Sequence, residues 1–345
     1  MTTTRIYLGL FLFSLVLFTG AVALAESDSL PKTRLLAREL AVLVNDNDPL
    51  SRQIAEYYVR ARRIPPANVL HLRLPKNRPN LTVPEFLAIK KSVDQRTPKH
   101  IQAYVLTWML PYRVECMSIT SAFAFGFDRA FCASGCQTTR LNPYFNRASF
   151  YPYRDLGLRP TMMLAAQNFA QAKALIDRGV HADRTRPKGT AYLVSTSDRF
   201  RNVRAGLYAA TQKAVAGALH VDLVTTDALE GRKDVLFYFT GRKTVGKITT
   251  NQFLPGALAD HLTSAGGELE GRVQTSILRW LEAGATGSYG TVTEPCNYPA
   301  KFPHPGVAIP SYLSGSTLIE AYWRSVLMPG QGLFIGEPLA CPYER

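Results

Sequence analysis

Apolar runs of strand length alternate with segments of helical period along most of this chain, and that alternation leaves few architectures open. LAVLVN (Leu40–Asn45), NVLHLRL (68–74), IQAYVLTW (101–108), GTAYLVST (189–196), VDLVTT, DVLFYFTG (234–241) and ATGSYGTV read as strands. Between the first two, SRQIAEYYVRARRI sets Ile54, Tyr57, Tyr58 and Ala61 at helical spacing, with Ser51 as the expected N-cap. VPEFLAIKKSV, the segment 168–177, VRAGLYAATQKAVAGA (203–218), VQTSILRWLEAG ending at Gly284, and STLIEAYWRSVL read as further helices, and GLFIGEPL follows as a terminal segment. Strands and helices in alternation pair in parallel through right-handed crossovers. The expected fold is therefore α/β: a three-layer sandwich with a mostly parallel central sheet.

One stretch, 127–160, breaks the pattern. It holds two cysteines, arginines from Arg129 to Arg159, and an aromatic set of Tyr144, Phe145, Phe150, Tyr151 and Tyr153. A loop of this length inside a domain is functional or stapled. Two accounts fit: an aromatic and arginine cover over a pocket, or an excursion packed on the surface. The body, 26–345, is then one α/β domain, or two α/β halves around this irregular loop.

In an open parallel sheet, ligands sit beyond the carboxyl ends of the strands. That rule nominates Asn45, Asp46 and Asp48 after the first strand, Glu115 and Cys116 after the third, and Arg242 and Lys243 after FYFTG. It also nominates Glu294 after ATGSYGTV, with His304 shortly beyond. His261, Thr263 and Ser264 lie in the glycine-rich FLPGALADHLTSAGGE. Asn45, Asp46 and Asp48 carry oxygens suited to a cation, yet Asx residues before a helix more often make caps and turns. On a helix, His261 and Ser264 would share a face, and a histidine beside a hydroxyl can activate it. The weak catalytic candidates are thus His261, Ser264 and Glu294; the ligand-binding candidates are Asn45, Asp46, Arg242, Lys243 and Glu294. No HExxH or His-x-His spacing occurs among the six histidines, and no GxGxxG or Walker loop is present, so no metal and no cofactor is expected.

The first 25 residues set the compartment. Arg5 is the positive start, the run from Ile6 to Phe18 is the apolar core, and Ala23 and Ala25 supply the small-x-small cleavage pattern. The core is short for a spanning helix, which needs about 20 apolar residues. The alternative is an anchor that stays; no basic stop-transfer cluster follows. The expectation is a secreted or periplasmic protein with no transmembrane segment once the signal is cleaved.

Formal charge is +14, and removal of residues 1–25 takes only Arg5 with it. A basic exported body suits an anionic envelope component or an anionic ligand, but the basic residues are scattered, which fits a general role in solubility better. No nucleic-acid-binding pattern is present, so nucleic acid is not an expected partner. Five cysteines in an oxidising compartment make two bridges and one free thiol, with Cys132 and Cys136 near enough to join across FCASGC.

Several of these segments resemble a family of uncharacterised exported bacterial proteins: VLVNDNDPLSRQIAEYYVRARRIPPANVLHL, YVLTWMLPYRV, FLPGALADHLTSAGG, AGATGSYGTVTEP and GEPL. More distantly, FYFTGRKTVG, ADHLTSAGG, EAGATGSYG and GEPL are similar, in order and spacing, to the gingipain-type cysteine peptidases of the caspase-like fold. That resemblance implies a caspase/gingipain-like sheet. In those peptidases one strand ends Tyr-x-Gly-His-Gly, and a later strand ends in the catalytic cysteine. Here Arg242 stands where they carry histidine, and HLTSAGG, where they carry cysteine, contains none. A thiolate nucleophile needs its sulfur and a base within hydrogen-bond reach. The resemblance therefore implies a non-catalytic relative that binds a peptide or an anionic ligand. Two other readings stand beside it: a hydrolase with rearranged residues, and a structural envelope component.

Overall fold

A computed structural model describes residues 1–2, 32–133 and 135–344. The export signal read over residues 1–25 lies, but for its first two residues, outside the described residues. Thr33–Arg345 forms one compact unit.

The central strand-length runs are buried along their whole length because helices flank the sheet they build, and so they read as continuous apolar segments. The edge strands at 69–72 and 220–225 instead alternate buried and exposed residues. LAVLVN becomes β1 (Leu40–Asn45), with every residue buried, and VLFYFTG becomes β10 (Val235–Gly241), likewise. The other strands are β2 (Val69–Leu72), β3 (Asn80–Leu81), β4 (Ala103–Leu106), β5 (Arg113–Val114), β6 (Met117–Ser118) and β7 (Thr161–Met163). They continue as β8 (Thr190–Ser195), β9 (His220–Thr225), β11 (Phe253–Leu262), β12 (Gly287–Thr291) and β13 (Gly332–Gly336). The helices are α1 (Pro49–Arg62), α2 (Val83–Arg96), α3 (Ile119–Phe125), α4 (Pro152–Leu156), α5 (Phe169–Ala182), α6 (Tyr208–Ala214), α7 (Leu278–Glu282), α8 (Pro305–Leu313) and α9 (Leu318–Ser325).

Ten strands form one sheet in the order β2-β1-β4-β7-β13-β12-β11-β10-β8-β9, and β3, β5 and β6 make a small second sheet. β12 and β13 pair antiparallel, from Gly287 opposite Gly336 to Thr291 opposite Gly332. β13 touches β7 through a single pair, Ile335 and Met163. The sheet is mostly parallel, as expected.

Four details differ from the sequence reading. The GLFIG of GLFIGEPL is a central, fully buried strand rather than a tail. It is short and follows the last helix, so no alternation marks it. The N-cap of α1 is Asp48, which accepts from the Leu50 N–H. Ser51 lies inside the helix, where its Oγ accepts the Asn45 N–H at 2.9 Å and contacts Thr107 Oγ1. VQTSILRWLEAG is helical only over Leu278–Glu282. The bridges are Cys116–Cys132 and Cys136–Cys296, with Cys341 free; the local Cys132–Cys136 bridge is not formed. Nearness in sequence loses here because the loop after β12 folds back over the 127–160 excursion.

That excursion packs down rather than standing off. Arg159 lies 3.3 Å from the centre of the Tyr153 ring, Arg154 3.9 Å from that of Tyr151, and Arg140 5.4 Å from that of Phe131. Its arginines and aromatics cover one another. Among the described residues, no helix is long and apolar enough to cross a membrane.

Candidate functional site

Three chain reversals build a hollow beyond the carboxyl ends of β8, β11 and β12. After β8, Thr196 donates its hydroxyl to the Gly241 carbonyl at 2.6 Å, and its N–H goes to Asn202 Oδ1. The turn at Asp198–Arg201 is thereby pulled against the end of β10. A Cβ on Gly241 would lie 1.8 Å from the Arg201 carbonyl oxygen, so only glycine lets this turn approach. That is the physical reason for the glycine in FYFTG. Arg201 is carried with the turn: its Nε donates to Thr263 Oγ1 at 3.1 Å and its Nη1 to Asp198 at 3.1 Å.

After β11 the chain turns tightly. Thr263 donates its hydroxyl to Gln274 Oε1 at 2.7 Å, and the same oxygen accepts the Ala265 N–H. Thr291, at the end of β12, donates to the Thr263 and Ser264 carbonyls. Beyond β12, Glu294 Oε1 accepts the Cys296 N–H at 2.7 Å, and Gln331 holds the Glu294 carbonyl. The hollow, about 410 Å³, is lined by Phe200, Arg201, Thr263, Ser264, Glu294 and Asn297, with Cys296 and Leu262 beside them. Phe200 is 60% exposed, a large apolar side chain left in water at the rim.

The residues expected to do chemistry are not poised for it. FLPGALADHL is strand β11, not a helix, so His261 and Ser264 do not share a helical face: His261 lies in the strand and Ser264 in the turn beyond it. The His261 ring is fully buried, and its Nδ1 accepts the Trp280 indole N–H at 3.0 Å. A neutral ring accepting at Nδ1 carries its proton on Nε2 and has no lone pair left to take another. Burial pushes its pKa down to about 3, with the Thr275 backbone opposing only in part. Ser264 Oγ has no base bonded to it among the described residues. Glu294 and His304 do not meet: Glu294 is at the hollow, while His304 is the N-cap residue of α8.

Arg242 and Lys243 fall outside the lining. Arg242 forms an ion pair with Asp227 and bonds Ser197 Oγ at 3.4 Å. The Asp227 carboxyl is held below its ordinary range by the Ser197 backbone N–H, the Ser197 hydroxyl and Arg242. Lys243 is exposed, and its carbonyl accepts the Thr275 N–H.

Asn45 and Asp46 form no part of the hollow. The Asn45 amide oxygen accepts the N–H groups of Asn47 and Leu74, and Asp48 caps α1: these residues make a turn and a cap. Asp46 pairs with His71 at 2.7 Å in a separate depression with Arg73 and Arg96. No group of three or more His, Cys, Asp or Glu side chains comes together as a metal site among the described residues.

The sulfurs are equally spent. Four cysteines are bridged, and the thiol of Cys341 is buried against the Gly315 carbonyl at 3.2 Å, with burial pushing its pKa up to about 12. It is not a nucleophile.

Beneath the hollow lies a charged layer. Asp260, one residue before His261 and so on the other face of the sheet, contacts Arg204 at 2.6 Å with both side chains sealed from water. The contact is off the hydrogen-bonding direction, and both Asp260 carboxylate oxygens lack an aligned donor. Arg204 Nε and Lys301 Nζ are also buried without a hydrogen-bond partner, Lys301 lying over the Tyr298 ring at 5.3 Å. Burial pushes the Asp260 carboxyl up to about 6 against the pull of Arg204.

Arg201, Phe200 and Asn297 escaped the sequence reading. The signal was present: SDRFRN follows the strand GTAYLVST, so the rule that nominated Arg242 reaches Arg201 too. No family model, no curated protein and no solved structure matches this chain.

Proposed function

We propose that this chain is an exported, non-catalytic relative of gingipain-type peptidases that holds a peptide or anionic ligand in the hollow beyond β8, β11 and β12. The layout supports the relationship. The segments similar to the peptidase motifs are β10, β11 and β12, with GEPL at the end of β13. β10 and β11 run side by side in parallel, with Gly241 opposite Leu262. The positions that would carry histidine and cysteine, Arg242 and the turn after Leu262, are therefore neighbours at one edge.

One observation carries the non-catalytic reading. The threonine and serine of the turn after β11, and the histidine of the strand before it, are each already engaged or lack a base. The Thr263 hydroxyl is held between Arg201 and Gln274, the His261 ring is spent on Trp280, and Ser264 has no base. Nucleophilic catalysis requires a nucleophile in contact with a base. The two bridges suit the oxidising compartment that an export signal implies.

The rearranged hydrolase gains little support from this arrangement, since no hydrogen bond joins His261, Ser264 and Glu294 among the described residues. A fluorophosphonate probe applied to the purified protein is expected to leave no label, and casein to stay intact. Labelling lost on Ser264→Ala would establish the hydrolase instead.

A further inference from the structure

We infer that the hollow recognises the free C-terminal carboxylate of a peptide whose last side chain is apolar, in other words the product of a cleavage that this chain does not perform. The inference rests on the binding reading above and deepens it. The cation at the hollow is Arg201. Its Nε and Nη1 are fixed by Thr263 and Asp198, while Nη2 has no acceptor among the described residues. A guanidinium held on two nitrogens is pre-oriented, and its remaining N–H groups form strong charge-assisted hydrogen bonds to a carboxylate. Pre-orientation also removes much of the ordering cost of binding.

The neighbours fit the rest of such a ligand. Phe200, next in the chain and exposed, offers apolar area to the last side chain. Ser264 and Asn297 line the same space and both donate and accept hydrogen bonds. Glu294 is the one acidic side chain in the lining; one oxygen holds the Cys296 N–H, and the other is an acceptor for a peptide N–H. Asp198 offsets part of the Arg201 charge, and Lys301, which has no hydrogen-bond partner but lies over the Tyr298 ring and in electrostatic contact with Glu294, adds positive charge nearby. The hollow, about 410 Å³, lies within the range of volumes that hold a small ligand. Beside the turn where a peptidase of this layout would present its nucleophile, Arg201 presents a cation. Peptide hydrolysis is the class of reaction that supplies its ligand.

Fluorescence anisotropy of labelled pentapeptides ending in Leu or Phe tests this, comparing the free acid with the C-terminal amide on the full chain. The free acid is expected to bind at least tenfold more tightly. Arg201→Gln is expected to erase that preference, and so is Ser264→Trp, which fills the hollow without touching the guanidinium bonds. Equal binding of acid and amide, or an acid preference that survives both variants, overturns the carboxylate inference while leaving a peptide-binding protein. Absence of binding by either peptide overturns this inference and the peptide-binding reading together.

Discussion

Two buried charge clusters in this protein have opposite characters. At the end of β13, Glu337 is sealed from water and fully provided for. Its carboxylate accepts Tyr58 Oη at 2.7 Å, Arg62 Nε at 3.0 Å and the Leu339 N–H at 3.2 Å, and Arg62 Nη2 closes the ion pair. Arg62 passes the charge on to Asp183, which accepts the Cys341 N–H. Beneath the hollow, Asp260 is as deeply buried but meets only Arg204, at a poor angle. A carboxylate with a full set of donors is a structural rivet; one without them is a strained group whose charge the fold barely tolerates. Near the ends of β10 and β11 the protein keeps a buried ion pair with unsatisfied polar atoms, and at the end of β13 a fully satisfied one.

Removing the rivet should cost most. Glu337→Ala leaves Arg62 buried without its main partner, and a loss of about 3–5 kcal/mol is expected in urea denaturation at neutral pH. A loss below about 1 kcal/mol would erase the distinction between the clusters.

The layer under the hollow is exposed by pH instead. Asp260 has a folded pKa of about 6 against an ordinary 3.8. The folded state therefore binds the extra proton between those values, and this contribution to stability is present below about pH 4 and lost as pH rises through 6. His261 has a folded pKa of about 3 against 6.5, so its contribution is present above 6.5 and lost as pH falls toward 3. Between pH 4 and 6 the two oppose each other. Asp260→Asn removes one of them, and stability is expected to fall more steeply with acid than in the parent, by up to about 1.4 kcal/mol per pH unit. Denaturation curves at pH 4, 5, 6 and 7 check this; parallel pH dependences for parent and variant would show that Asp260 does not titrate in that window.

The smallest effect belongs to the exposed pair of Asp46 and His71. Asp46→Ala is expected to change stability by less than about 1 kcal/mol, and peptide binding not at all. A loss of peptide binding would move the site to the turn after β1.

Much of the fold was legible because parallel strands covered on both faces must be apolar throughout, and helices that cover them must repeat their apolar residues at helical spacing. LAVLVN, VLFYFTG and the period of Ile54 and Tyr58 carry that signal without ambiguity. The site was legible only in part. Ser264 and Glu294 line the hollow, whereas Arg242 is spent on Asp227, and Asn45 on its own turn. Which polar side chain stays available depends on partners distant in sequence, and local spacing does not encode them.

By itself, then, the sequence determined the alternation of strand and helix, the mostly parallel sheet, and the count of bridged and free sulfurs. Tertiary structure decided the rest: β13 inserted mid-sheet, Cys136 joined to Cys296 rather than to Cys132, His261 turned into the core, and Arg201 brought to the hollow. The physical reason is range. Periodicity and burial are properties of neighbours along the chain, whereas the bond from Arg201 to Thr263 and the close approach over Gly241 join residues that only the folded backbone brings together.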